Sequence, residues 1–435
     1  MAEVSGGSDV IVVGGGFAGV ASARELSRAG AEVVLLEARD RLGGRTWTSE
    51  FAGRQVELGG TWVHWHQPHV WAELSRYGLE LAESPSPARA RWFAGGEQHD
   101  ADMAAVWDLM ASGTDRLCAD AQQVFERPHD PLFGDIEEID RLSIEDRLRT
   151  LGLDDGAADI TRALWETAGN AYTHEVGLSA ALRWYALSGF NFGLMMDCVA
   201  RYKIARGTRA LIDAMAADGD FATRFDAPVV NVEHDASEVA VRLRDGTELV
   251  ARAAVIAVPL NVLGAIAFSP ALSGSKRQPV EAGQASHGVK VWARARGEVD
   301  RLVIGEPGWP ITFLQPEYRV DGGDTLLVGF GPDGGSLDAT DDAAVVAAVS
   351  RLLPDAEIIT SHGHDWVADE FARGTWSMYR PGQLSGALRA LQEPEGRLVL
   401  AGSDVASGWN GFIDGAIESG IRAAQVTLRS LPSLS

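Results

Sequence analysis

The sequence predicts a mixed α/β protein built from two units, and three observations predict it. Residues 10–45 run strand, glycine-rich turn, helix, strand and acid in that order. Residues 226–259 alternate apolar and polar positions around a turn at Asp245-Gly246, as paired strands do. Residues 84–157 and 161–188 instead carry helical periodicity. The 435 residues suffice for two cores. The first unit is therefore read as Rossmann-like, and the second as a discontinuous domain of mixed sheet and helices.

Val-Ile-Val-Val at 10–13 is a short apolar run suited to a buried parallel strand. In the following Gly14-Gly15-Gly16-Phe17-Ala18-Gly19, Gly14 permits a tight turn and Gly16 lets the backbone approach a pyrophosphate. Gly19 lets the next helix lie close against the strand. That helix presents unpaired N–H groups and a partial positive charge to phosphate. A second apolar run ends at Glu37, 23 residues after Gly14, near the spacing of a ribose-binding carboxylate. A glycine-rich turn alone is a weak sign, but five parts in register read as a dinucleotide site.

Ala38 and Arg39 follow, then Arg41-Leu42-Gly43-Gly44-Arg45-Thr46. Two glycines flanked by arginines give close backbone approach and charge compensation for a second stretch of pyrophosphate. This stretch resembles the flavin-containing amine oxidase family, which includes the monoamine and polyamine oxidases, and there it signals FAD. Four more segments carry the same resemblance. Glu57-Leu58-Gly59-Gly60-Thr61-Trp62-Val63-His64 is similar to the loop beside the flavin, and Thr173-His174-Glu175-Val176 to the start of the substrate region. Ala401-Gly402-Ser403-Asp404 resembles the late strand whose acid meets the ribityl-pyrophosphate part of FAD. Gly408-Trp409-Asn410-Gly411-Phe412-Ile413 resembles the helix start under the flavin ring. The resemblance spans residues 11–424 and also implies cofactor contacts at Val229 and Trp366.

Composition narrows the function. Apolar residues at 46% and charged residues at 23% suit a globular enzyme. A net charge of −23 argues against nucleic-acid or anionic-membrane partners. Cys118 and Cys198 have no metal or redox spacing, which suits a reducing cytoplasm. The opening stretch to Ser8 is polar, so no secretory leader is expected. No run of about 18 apolar residues occurs before the closing Leu-Pro-Ser-Leu-Ser, so the membrane anchor of mitochondrial monoamine oxidases is not expected either. The expectation is a cytoplasmic enzyme acting singly or as a homodimer on a small amine, with O2 as co-substrate.

The elements follow in order. Residues 1–83 give β-α-β and the flavin loop, with a helix near residues 69–77. Residues 207–215 return the chain to the first unit, and residues 253–259 give a buried strand that closes against the cofactor. Strands are expected around residues 288–295 and 325–331, and a helix at 341–353. Residues 396–431 supply the last strand and helix. The FAD-binding domain is thus expected over 1–83, 205–260 and 391–435, and the substrate domain over 84–204 and 261–390.

Only three of the 38 Lys and Arg residues are Lys: Lys203, Lys276 and Lys290. By strand alternation Lys290 shares a face with Trp292, and an isolated Lys on a strand is ordinarily a solvated cation. The resemblance gives Lys290 another role, holding a water against flavin N5, where a cation also stabilises charge developing on oxygen. It makes Trp376 and Phe412 the two aromatic walls around the amine, the remaining catalytic assignments. The plain alternative is two core aromatics, and Tyr379 is the competing wall if the alignment slips by three. Thr375 occupies the position of the flavin-linking cysteine of mitochondrial monoamine oxidases, so non-covalent FAD is expected.

Leu194, Met195 and Met196, with Phe190 and Phe192, are read as an apolar substrate pocket favouring the neutral amine. Glu166 and Thr167 fall near the family's pocket positions. His64, His66 and His69 lack a fourth ligand at convincing spacing, so no metal is assigned. The expected reaction is oxidation of a primary or secondary amine to an imine, hydrolysed to aldehyde or ketone, with O2 reduced to H2O2. Three rivals stand beside it. An L-amino-acid oxidase would need Arg183 or Arg380 in the pocket. A nicotine-type dehydrogenase would pass electrons to a protein acceptor. A flavin-bound interaction module would lack turnover.

Overall fold

The computed structural model describes residues 8–431; the opening polar stretch before Ser8 and the closing Pro-Ser-Leu-Ser lie outside them. Its architecture is the mixed α/β one the sequence predicts. Ser8–Val13 is an inner strand of an eight-stranded sheet, pairing in parallel with Val33–Leu36 on one side and Glu248–Ile256 on the other. Val10, Ile11 and Val12 are sealed from solvent on both faces, which explains the unbroken apolar run. The expected hairpins are Val229–His234, Val239–Leu243 and Glu248–Ile256. Leu398–Leu400 adds in parallel to Glu248–Ile256. Ala267–Ser269 also joins this sheet, just past residue 260.

Helices Phe17–Arg28 and Ile413–Ser430 pack on one face of that sheet. Gly420 makes their approach possible, since a Cβ there would lie 2.3 Å from the Ala18 carbonyl oxygen. Among the described residues no helix is long and apolar enough to cross a membrane.

The second sheet has seven strands, in the order Ile358–Gly363, Val289–Ala295, Thr325–Gly331, Phe313–Arg319, Arg301–Ile304, Arg89–Ala94 and Glu97–Asp102. The last two correct the helical reading of 84–157. Arg89–Ala94 and Glu97–Asp102 form a hairpin closed by Gly95 and Gly96, both at positive φ. A Gly-Gly pair between short alternating runs is a hairpin signal that the surrounding Ala-rich composition hid. The helical reading of 161–188 also divides, into Asp155–Gly169 and Leu178–Leu187. Asn170 breaks it at φ 48°, and its Nδ2 donates to the carbonyls of Val289 (3.2 Å) and Gly331 (2.8 Å). This side chain fastens the helix end to the strand carrying Lys290.

Candidate active site

A cavity of about 530 Å³ is walled by residues from both sheets. Its first end is built by glycine turns. Gly14 stands at φ +105°, and a Cβ there would come within 2.7 Å of the Ala257 carbonyl oxygen. The following helix starts at Phe17 with no side-chain cap and no acidic residue in its first turn, so its N–H groups open onto the cavity. Gly44 lies against Gly16 so closely that a Cβ on Gly44 would sit 3.3 Å from the Gly16 Cα. The two turns thus form one backbone cradle. Glu37 Oε2 accepts from Gly15 N (2.6 Å) and Oε1 from Arg39 N (2.8 Å), while burial pushes the carboxyl's pKa up.

Arg45 ties this cradle to the late segments. Its guanidinium donates to the Thr375 carbonyl (2.9 Å), to Ser403 Oγ (3.0 Å) and to the Asp404 carboxylate. Asp404 also accepts from Leu260 N at 2.8 Å. Arg41 instead binds its own turn through the Thr46 carbonyl (2.9 Å), and burial beside Arg39 brings it down to about 10.

Lys290 stands between the two ends. Its Nζ donates to the Gly59 carbonyl (2.7 Å) and to Thr61 Oγ1 (2.5 Å), with the Trp62 and Phe330 rings at 5.1 and 5.7 Å. Burial pushes its ammonium down to about 7 although Glu57 and Glu317 pull the other way. Trp366 Nε1 holds the same loop through the Leu58 carbonyl at 2.9 Å.

The far end is aromatic. Trp376 Nε1 donates to the Ala168 carbonyl (2.9 Å), and its ring meets Phe330 edge-on at 6.1 Å. Phe412 packs edge-on against Trp184 (4.9 Å) and Trp409 (5.0 Å). The two walls are brought together by their neighbours. Gly411 lies against Ser377, where a Cβ would fall 2.7 Å from the carbonyl oxygen, and Asn410 Nδ2 donates to that same oxygen at 3.2 Å.

Lys290, Trp376 and Phe412 all line the cavity, as does every expected cofactor-binding residue except Gly19 and Asp404. Gly19 acts from behind: a Cβ would lie 1.8 Å from the Gly14 carbonyl oxygen. Asp404 acts through Arg45. Of the expected pocket residues, Thr167, Met195 and Met196 are on the wall. Glu166, Phe190, Phe192, Leu194 and Tyr379 are not.

Glu166 points away on its helix, accepting from Gly308 N (2.9 Å), and burial raises it to about 7. Leu194 packs with Leu187, Cys198 and Trp409. Tyr379 is fully buried and donates to the Asp404 carbonyl at 2.7 Å, which removes it as an alternative wall. Phe192 stacks edge-on with Trp107. Arg183 is sealed beneath the carbonyls of Ala406, Ser407 and Gly408, and Arg380 reaches the Gln284 carbonyl. Neither arginine lines the cavity.

Sequence reasoning missed Phe313, Gln315 and Phe330, which also line the far end. Their signal was period-two spacing on strands Phe313–Arg319 and Thr325–Gly331. The carboxylates on the cavity wall are Glu37 and Glu370, and Glu370 is paired with Arg244 near the glycine turns. The far end has none. Among the described residues no cluster of His, Cys, Asp and Glu is arranged to hold a metal ion, and His64 Nδ1 accepts from His66 N at 3.1 Å.

These residues fit a flavin dinucleotide. The uncapped helix and paired glycine turns suit a pyrophosphate, and Gly14, Gly19 and Gly44 leave no room for side chains where the backbone must come close. Comparison with known proteins agrees. The sequence profile of the flavin containing amine oxidoreductases matches residues 17–428. A pseudooxynicotine dehydrogenase of a Pseudomonas species is 42% identical over 95% of this chain and 84% of its own. An (S)-6-hydroxynicotine oxidase of Paenarthrobacter nicotinovorans is 32% identical over 97% of this chain and 100% of its own. A putrescine oxidase solved with putrescine superposes with a TM-score of 0.83 at 25% identity, covering 97% of this chain and 99% of that one.

Proposed function

The chain belongs to the flavin containing amine oxidoreductases and is an amine-acting enzyme; we propose that it holds FAD without a covalent bond and oxidises an apolar monoamine. The observation that carries this reading is one cavity with two unlike ends, a phosphate cradle of backbone N–H groups and an aromatic, carboxylate-free chamber. Flavin, when bound, would supply the acceptor for the hydride equivalent leaving the carbon that bears the nitrogen, as the C–N bond becomes the C=N of the imine. The chain's own residues bind and orient. Trp376 and Phe412 flank the amine nitrogen with ring faces, and the apolar wall favours the neutral form, whose lone pair is free. Lys290 sets a donor and a cation where oxygen is reduced, so negative charge developing there is compensated in a water-poor site. The imine product is hydrolysed by water to aldehyde or ketone, and O2 becomes H2O2.

Substrate class follows from what the chamber lacks. A diamine would bring a second ammonium to a wall without carboxylates, and an amino acid would bring a carboxylate to a wall from which Arg183 and Arg380 are absent. Both burials are costly. Non-covalent FAD is supported by Thr375 beside Trp376 and by the burial of both cysteines away from the cavity wall. The same free cysteines favour a cytoplasmic setting. Acid precipitation should leave the yellow colour in the supernatant; colour retained in the pellet would refute the non-covalent reading.

A second reading of the electron acceptor rests on the relative at 42% identity, which is a dehydrogenase by name. Oxygen uptake during amine turnover separates the two. Stoichiometric H2O2 supports the oxidase, whereas flavin that stays reduced in air-saturated buffer supports a different acceptor.

A further inference from the structure

Behind the chamber wall lies a buried charged pair, neither member of which lines the cavity. Glu317 has a fully buried side chain, and its carboxylate meets the ammonium of Lys203. It also accepts from Ser84 Oγ at 2.8 Å and from Gln315 Nε2 at 3.1 Å. The strand Phe313–Arg319 shifts register between Pro316 and Tyr318, so Glu317 is the extra residue of a bulge. Bulges re-aim side chains, and this one brings Glu317 beside Gln315, two positions earlier.

That contact fixes which way the Gln315 amide faces. A carboxylate paired with an ammonium only accepts, so it takes the NH2 and turns the amide oxygen away. Gln315 itself lines the cavity and is buried. Its Oε1 has no protein partner among the described residues, yet it does not belong to the polar atoms sealed from solvent. The remaining opening is the cavity. Gln315 pairs with Val328, and Val328 with Trp292, which places it two strands from the strand of Lys290.

We infer that Gln315, aimed by Glu317 and Lys203, determines specificity by accepting a hydrogen bond from a second donor on the body of the substrate, an O–H or ring N–H. This rests on the amine reading above. An acceptor buried in an apolar wall costs free energy when left unpaired, so a ligand that brings a donor is preferred over one that brings only lone pairs. The substrate class is then a monoamine whose ring carries a hydroxyl or lactam N–H, ahead of its unsubstituted analogue. Glu317 and Lys203 are positioning residues in this scheme.

The test uses (S)-6-hydroxynicotine and (S)-nicotine, which differ by the ring hydroxyl, with the holoenzyme under anaerobic conditions. The half-saturating concentration for flavin reduction should be about tenfold lower for the hydroxylated amine. Gln315→Met should bring the ratio to within about twofold of one, the loss falling on the hydroxylated amine. Gln315→Leu serves if the Met variant loses flavin. Glu317→Gln, which lets the neighbouring amide turn, should also lower the ratio. A wild-type ratio near one, or a ratio that survives removal of the amide, overturns the inference and leaves the amine reading intact. If neither of these tertiary amines bleaches or perturbs the flavin, the inference is overturned, and the amine reading is decided separately by phenethylamine, a primary amine.

Discussion

At the scale of single residues, the proposed chemistry turns on Lys290. It is one of three lysines in the chain and all three are buried, in a protein whose other basic side chains are Arg. Burial holds it at about 7, so it is an ammonium below that pH and neutral above. If its charge assists oxygen reduction, the rate constant for reoxidation of the reduced enzyme falls as pH rises through about 7. Lys290→Met should flatten that profile and slow reoxidation by about 10²–10³, read by stopped-flow absorbance. A variant with unchanged reoxidation and pH profile would remove Lys290 from this role. The rarity of Lys and the motif around residue 290 made this position legible in the sequence. Glu166 and Tyr379 were not legible, because one step of helix rotation or a slip of three residues decides whether a side chain meets the cavity or the core.

At the scale of elements, the glycine turn and its helix act as one part. Gly19 sits where any Cβ would collide with the Gly14 carbonyl oxygen. Gly19→Ala should therefore push the helix off the strand, costing about 1–3 kcal/mol by denaturant titration and releasing flavin. Arg45 joins the Gly43-Gly44 turn to Thr375 and Asp404, so Arg45→Met should weaken flavin binding with little loss of helix content. Flavin fluorescence on dilution checks both variants. Strand Ser8–Val13, its turn and its helix were readable because propensity, pattern and motif agree there. The hairpin Arg89–Ala94 and Glu97–Asp102 was missed although Gly95-Gly96 signalled it locally, and its place beside Arg301–Ile304, a contact across some 200 residues, is something local pattern does not encode.

At the scale of the whole molecule, the cavity wall draws on both sheets and on chain segments from residue 13 to residue 416. Ligand that binds only the folded state stabilises it by mass action, by about 4 kcal/mol at a thousandfold excess over Kd. Stripping the flavin should lower the melting temperature, and added FAD should restore it; an unchanged transition would mean that the cofactor does not bridge these segments. The order of motifs made the cofactor end of this assembly legible. The far end draws on Phe313 and Gln315 of one strand and Phe330 of the next, and which side of the sheet they face was settled only by the pairing. The most direct test of the central claim is anaerobic mixing of the yellow enzyme with phenethylamine, putrescine and L-phenylalanine, following the flavin band. Phenethylamine should bleach the flavin, with the diamine and the amino acid about a hundredfold less effective because each would bury an unpaired charge. Bleaching led by putrescine or by L-phenylalanine would contradict it.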